Sequence, residues 1–200
     1  MKAAIVQDKK MVITEVSEPV MGAGDVLVEI HATALNRADL LQKQGTYPSP
    51  AGWPEWPGLE LVGIVLDMGA EAKEKSGFKI GDAVCALVGG GAYAEKIAIP
   101  YGLLMPVPKG LSLAEASALP EAYATSYLNL FYEGHLEKGQ VLYVAAGASG
   151  LASAAIPMGK AAGAYVVTSV QTAAQAEKIK DLGADYIIVH VPPSFTVESE

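Results

Sequence analysis

The sequence has little of what builds a disulfide, a metal centre or a polyanion-binding surface. Cys85 is the one cysteine in 200 residues, which excludes an internal disulfide and a cysteine-rich zinc site. Its setting, GDAVCAL, reads as a buried strand, so the thiol is structural rather than nucleophilic. The three histidines, His31, His135 and His190, have no ligand spacing. Arg37 is the one arginine among 14 basic residues, and the net charge is −8 without any basic cluster. Nucleic acid is therefore not an expected partner. The opening stretch, MKAAIVQDKKMVI, lacks the apolar core of a signal peptide. No apolar run reaches the ~20 residues needed to cross a bilayer. The expectation is a cytoplasmic protein with no membrane partner.

What is present is a 51% hydrophobic chain, enough for one large domain or two small ones. Composition shifts once. From Met1 to about Pro108, Val- and Ile-rich stretches predict strands at 3–6, 11–16, 26–34, 61–66, 83–88 and 93–99. MGAGD, YPSPAGWPEWPG, GFKIGD and VGGGA separate them as turns, and one helix is expected near 37–43. This is an all-β barrel or sandwich. After Leu111 the chain turns alanine-rich. Ser112 and Glu115 have the spacing of a capping box, and helices are expected over 114–118 and 122–133, broken at Pro120.

The stretch VLYVAAGASGLASAAIPMGKAAGA, residues 141–164, organises the second half. It reads as a buried strand (141–145), a turn on Gly147, Ser149 and Gly150, and a helix (151–162) stopped at Gly163. Free N–H groups and the positive end of a helix dipole make such a turn fit for a pyrophosphate. The G-x-G-x-x-G spacing is absent, so any βα turn of an α/β domain is an equal reading. A strand (165–169), a helix (172–182) and a strand (186–189) follow, an alternation that predicts a doubly wound parallel sheet.

Five blocks in order, ALNRADLLQKQGTYPSPAG, PGLELVGIV, GDAVCALVGGGAYAE, MPVPKGLSLAEASALPEAYATSYLNL and AAGASGL, resemble the zinc-free quinone oxidoreductases of the medium-chain dehydrogenase/reductase superfamily. The resemblance runs from residue 1 to about 188. It implies an α/β fold: a GroES-like β-barrel domain over 1–112, then the first half of a Rossmann-type doubly wound parallel sheet over 113–200. It also implies hydride transfer from NADPH, with NADH less favoured, to a quinone or other conjugated carbonyl. The cofactor carries that chemistry while the protein positions and shields it.

A catalytic zinc needs three protein ligands around an open position. Zinc-dependent relatives carry a Cys where this chain has Asn36 and a His where it has Leu59, leaving Glu60 alone of those positions. No metal is expected. On the resemblance, Asn36 and Tyr47 meet the nicotinamide and the acceptor, Asn36 by a hydrogen bond and Tyr47 by covering the cleft with its ring and offering its OH. Asn36 reads equally as a helix cap, and Tyr47 as the start of a Pro-rich loop. Thr125 is implied on the nicotinamide side, or is an ordinary helix threonine bonded back to a carbonyl. Ser149, Gly150 and Leu151 match the pyrophosphate turn. Thr172 stands at the serine position that holds the NADPH 2′-phosphate, but Gln171 and Ala174 replace the glycine and lysine of that motif. His190 takes the place of a tyrosine beside the adenosine, to stack there or simply to lie in a surface loop.

Three departures bear on the fold. Ala152 replaces the last glycine of the turn motif, adding a methyl between helix and strand. Pro157 falls within the helix, at a cost of ~3 kcal/mol in a regular interior, and predicts a kink or a late start. Gln171 gives up the freedom of glycine. The chain also stops where family members continue through the second half of the sheet, which suggests a truncated product with an exposed half-sheet. A homodimer or another protein partner on that surface is then expected, and aggregation without one. The alternatives to a quinone reductase are a non-catalytic remnant acting through protein interaction and an enoyl reductase on the same scaffold.

Overall fold

The N-terminal strands β1 (Lys2–Gln7) and β2 (Lys10–Glu15) pair as an antiparallel hairpin. Its two-residue turn, Asp8 and Lys9, has φ of 50° and 58°. Positive φ at both central positions matches the right-handed twist of the flanking strands. The computed structural model describes residues 1–190 and divides the chain into two units, Met1–Glu121 and Ala122–Glu200.

In the first unit β3 (Asp25–Ala32) leads to α1 (Arg37–Gln44), β4 (Glu60–Met68), α2 (Ala70–Lys75), β5 (Ala83–Leu87), β6 (Lys96–Pro100) and β7 (Leu104–Pro106). The five strands form one antiparallel sheet in the order β6-β3-β4-β5-β7. Val26, Val28, Leu61, Val65, Val84 and Ile99, all essentially inaccessible, fill its core. Each contributes ~1.5–3 kcal/mol by leaving water. Among the described residues the sheet stays open, so the expected barrel is an open sheet plus a hairpin. The two meet at the Ala3–Ala94 bridge and the 2.7 Å bond from Ala4 N–H to the Tyr93 carbonyl. This explains the strand expected at 93–99: its first three residues serve the hairpin, and pairing with β3 holds from Lys96 in β6.

The unit closes with α3 (Leu113–Ala116), capped by Ser112 and Glu115 as their spacing foretold. Next comes α4 (Pro120–Tyr127), continued by a π-helical turn over Leu128–Glu133. Pro120 does not break a helix but begins one, where its missing N–H has no partner to lose.

The second unit holds β8 (Val141–Val144), α5 (Gly150–Ala161), β9 (Tyr165–Val170), α6 (Ala173–Ile179) and β10 (Tyr186–Val189). The strands are parallel in the order β10-β9-β8, the order of half a doubly wound sheet. Ala152, Ile156 and Val166 pack with Leu142 and Val144 between α5 and the sheet. The methyl of Ala152 is accepted, since close approach is provided two turns later. A Cβ on Gly159 would lie 2.5 Å from Leu142 Cδ2. The helix does not start late: α5 begins at Gly150 and runs through Pro157 to Ala161.

Lys160, near the end of α5, bonds both Asp185 carboxylate oxygens at 2.7 Å, and Asp185 also accepts Val166 N–H. That pairing holds the Asp185 carboxyl below the usual range. The opposite face of the sheet carries the exposed side chains Val141, Tyr143, Tyr165, Tyr186 and Ile188. No helix among the described residues is long and apolar enough to cross a membrane.

Candidate functional site

In the second unit the chain leaves β8 through Ala145–Ala148 and enters α5. Gly147 is set by packing: a Cβ there would lie 2.3 Å from Thr168 Oγ1 and 2.9 Å from Ile179 Cδ1. Thr168 is fully buried and donates to the Val144 carbonyl at 2.7 Å, so it cannot swing away freely. Ser149 is the N-cap of α5, its hydroxyl accepting Ala152 N–H at 3.2 Å. At Gly150 a Cβ would meet nothing within 4 Å, so the space over the first helical residue is open. Among the described residues the N–H groups of Ala148, Gly150 and Leu151 have no acceptor. Unbonded amides at a helix N-terminus, with open space over a glycine, form an anion cradle.

Beside this turn lies a cavity of about 400 Å³ lined by Ala148, Ser149, Ser169, Gln171, Gln175 and His190, together with alanine and valine. Its volume falls within the ~300–1,000 Å³ of small-molecule sites. Ser169 Oγ shares a 2.8 Å hydrogen bond with Tyr143 Oη. His190 follows β10 and is tied to β9 by its N–H, which donates to the Val170 carbonyl at 2.7 Å. Gln171 has no positive φ, so the lack of glycine there costs no backbone strain.

Thr172 stands next to the cavity as the N-cap of α6, accepting Gln175 N–H at 3.1 Å. Gln175 Oε1 in return accepts the N–H groups of Gln171 and Thr172. Ser149 and His190 are thus brought to one cavity, with Gly150 opening beside it. Leu151 presents an exposed side chain, and Thr172 is occupied as a cap. Thr125 is half-buried in α4, where its carbonyl accepts the Asn129 side chain at 2.8 Å. Its hydroxyl makes no back-bond among the described residues, unlike the ordinary helix threonine.

In the first unit Asn36 precedes α1 and its side-chain amide donates to Glu60 Oε1 at 2.8 Å. Glu60 Oε2 accepts Glu121 N–H at 2.8 Å. Glu60 is 2% exposed, and burial pushes its carboxyl up despite both bonds. Asp39, also buried, accepts Asn36 N–H at 2.6 Å and Tyr93 Oη–H at 2.7 Å. Burial and the Asp39 carboxylate push the Tyr93 phenol well above its ordinary value. Asn36 is therefore both the residue that starts the helix and a partner of a buried acid. Leu59, buried beside Glu60, offers no donor atom.

Tyr47 lies past the other end of α1, ~12 Å along an eight-residue helix. It lines a separate cavity of about 420 Å³ with Gln42, Trp53 and Glu55. No shared cavity or hydrogen bond joins it to Asn36 among the described residues. The partnership of Asp39 with Tyr93 was not anticipated. The Asn36-x-x-Asp39 spacing carried the signal only for the bond from Asn36 N–H to the Asp39 carboxylate at the start of α1.

Residues 22–109 match the family model of the alcohol dehydrogenase GroES-like domain. A solved quinone oxidoreductase from Thermus thermophilus, studied with its NADPH complex, superimposes with a TM-score of 0.78 at 30% identity, covering 94% of this chain and 60% of that one. The chain is similar to oxidoreductases of this kind both in its GroES-like residues and in its α/β residues. It is 36% identical over 155 residues to the quinone oxidoreductase-like protein 2 homolog of Nematostella vectensis, across 76% of this chain and 40% of the relative. It is 33% identical over 184 residues to the synaptic vesicle membrane protein VAT-1 homolog of Danio rerio, across 90% of this chain and 37% of the relative. The chain thus spans about two fifths of the length of these curated relatives.

Proposed function

We propose that the chain carries part of an NADPH-dependent, zinc-independent oxidoreductase that reduces a quinone or another conjugated carbonyl. The observation that carries this reading is the cradle at the start of α5. Three amides without acceptors among the described residues, a serine cap and open space over Gly150 border a cavity of small-molecule size. A reduced nicotinamide, when bound, supplies the hydride. The α5 turn holds the pyrophosphate through the Ala148, Gly150 and Leu151 N–H groups, favoured by the helix dipole. Ser149 keeps that helix end fixed, and His190 lies on the adenosine side. Asn36 bonds the cofactor with its amide orientation set by Glu60, Thr125 contributes on the nicotinamide side, and Tyr47 covers the acceptor.

Zinc independence is supported by the donor set. Leu59 is a hydrocarbon, Asn36 is a neutral amide already donating, and both Glu60 oxygens already accept hydrogen bonds. An acceptor whose carbonyl is already conjugated needs no Lewis acid to take a hydride.

Mixing the chain with NADPH and recording nicotinamide fluorescence tests the cofactor reading, and a panel of quinones and enones then sorts the acceptor. Fluorescence enhancement with quinone turnover supports the proposal, and turnover confined to enones makes the chain an enoyl reductase. An unchanged nicotinamide signal at high protein concentration refutes retained cofactor binding, leaving interaction with another protein as the function of the exposed sheet face.

A further inference from the structure

Near the C-terminal end of α1, Gln42 is 9% exposed and ties down the loop that follows the helix. Its Nε2 donates to Ser49 Oγ at 2.9 Å and to the Glu55 carbonyl at 2.8 Å. A carbonyl only accepts, so the bond to Glu55 fixes which way the amide points. Both amide hydrogens are then used, and Gln42 Oε1 is left with no donor among the described residues. No sealed side-chain oxygen or nitrogen among those residues lacks a partner, so Oε1 is open to the space beside it. That space is the cavity of about 420 Å³ that Gln42 lines. Ser49 Oγ accepts from Gln42, which leaves its own proton for an acceptor in the same cavity.

The walls suit a flat ring. Trp53 packs on the core of the first unit, with its indole edge against Gly89, where a Cβ would come within 2.5 Å of Cδ1. Tyr47, Pro48 and Pro50 supply further flat, apolar faces. Such rigid surfaces bury a planar ligand with little rotamer freedom to lose. Glu55 is the one charged side chain of the lining, and it disfavours an anion. A hydroxyl both donates and accepts, which matches an open amide oxygen beside an unused hydroxyl proton. We infer that this cavity binds a planar ring carrying a neutral hydroxyl, a phenol or hydroquinone, and that Gln42 Oε1 is the group that selects the hydroxyl. A hydride from the nicotinamide and a proton from water convert a quinone into a hydroquinone, so the product of the proposed reaction belongs to this class. The inference rests on the acceptor reading of Tyr47 proposed above for the kind of ring, while the binding itself needs no cofactor.

The test is NMR titration of the 200-residue chain, without dinucleotide, with β-naphthol and with its methyl ether, read at the indole N–H signals. The two probes share the ring and an oxygen that accepts from Ser49, and only the first can donate to Gln42. Trp56 is the internal control, since its indole N–H is bonded to the Gly91 carbonyl at 3.0 Å and it does not line the cavity. The expected result is a saturable shift at Trp53 with Trp56 unmoved, and β-naphthol bound about tenfold more tightly than its ether. Gln42→Leu is expected to bring the two affinities together. Ser49→Ala, on the loop, is expected to weaken both probes alike and keep their ratio, which serves should Gln42→Leu fail to fold. Equal affinities in the unaltered chain, shifts at Trp56 rather than Trp53, no saturable shift, or a preference surviving in folded Gln42→Leu would overturn the inference and leave the dinucleotide reading standing. The tenfold preference without quinone turnover would support the site and count against the reaction proposed above.

Discussion

Two glycines of one turn should fail for opposite reasons. Gly147→Ala places a methyl 2.3 Å from Thr168 Oγ1 and 2.9 Å from Ile179 Cδ1. Thr168 is fully buried, and its hydroxyl is anchored to the Val144 carbonyl. Relief means moving Thr168 or the turn, and overpacking of this kind costs about 1–3 kcal/mol. Breaking the Thr168 bond would add about 1–3 kcal/mol for a buried group left unsatisfied. Gly150→Val meets no atom within 4 Å of its new Cβ, and in a helix valine is no worse than glycine. It should change stability by less than about 1 kcal/mol while filling the space over the cradle.

Urea unfolding of both variants, beside titration with NADPH, separates the two effects. Gly147→Ala should lose stability by about 2–6 kcal/mol, and Gly150→Val should stay native-like and lose the dinucleotide. A native-like Gly147→Ala would show that Thr168 gives way freely. Unchanged NADPH affinity in Gly150→Val would show that the pyrophosphate does not approach there.

Glu60 gives a pH signature. Its folded carboxyl is raised by burial, so the folded state holds a proton that the unfolded state has released. Its contribution to stability is largest below the ordinary carboxylate value and falls as pH rises through the raised one. Glu60→Gln should flatten that fall in denaturation midpoints measured from acid to neutral pH, and an unaltered slope would contradict the assignment. Tyr93→Phe leaves buried Asp39 short of a 2.7 Å donor and should cost about 1–3 kcal/mol by urea unfolding. A neutral effect would mean that water replaces the phenol. Val141 and Ile188 are 69% and 40% exposed on the helix-free face of the sheet. Replacing both by lysine should reduce self-association in light scattering, and unchanged particle size would place any association elsewhere.

The fold was legible where local chemistry is strong. The Ser112–Glu115 spacing specified the α3 cap, and the strand–turn–helix around Ser149 was foreseen within a residue. The alternation from 141 to 189 was enough for parallel strands in sequential order. What escaped were features set by distant partners. Short β7 pairs three residues with β5, and α2 lies in a charged segment without a long apolar period. Gly147 looked like a turn glycine, but Thr168 and Ile179, far along the chain, are what require it. The site divides in the same way. Asn36 was marked by its position before a helix, yet its bond to Glu60 joins residues 24 apart. His190 and Ser149 share a cavity only because the parallel register lays the end of β10 beside the end of β9.

The central claim is that the start of α5 holds a dinucleotide pyrophosphate. The most direct measurement is an amide-resolved NMR titration of the 200-residue chain with NADP⁺. The account predicts saturable shifts concentrated at the N–H groups of Ala148, Gly150 and Leu151, with His190 following from the same cavity. Shifts confined to other parts of the chain, or none at millimolar ligand, would contradict it.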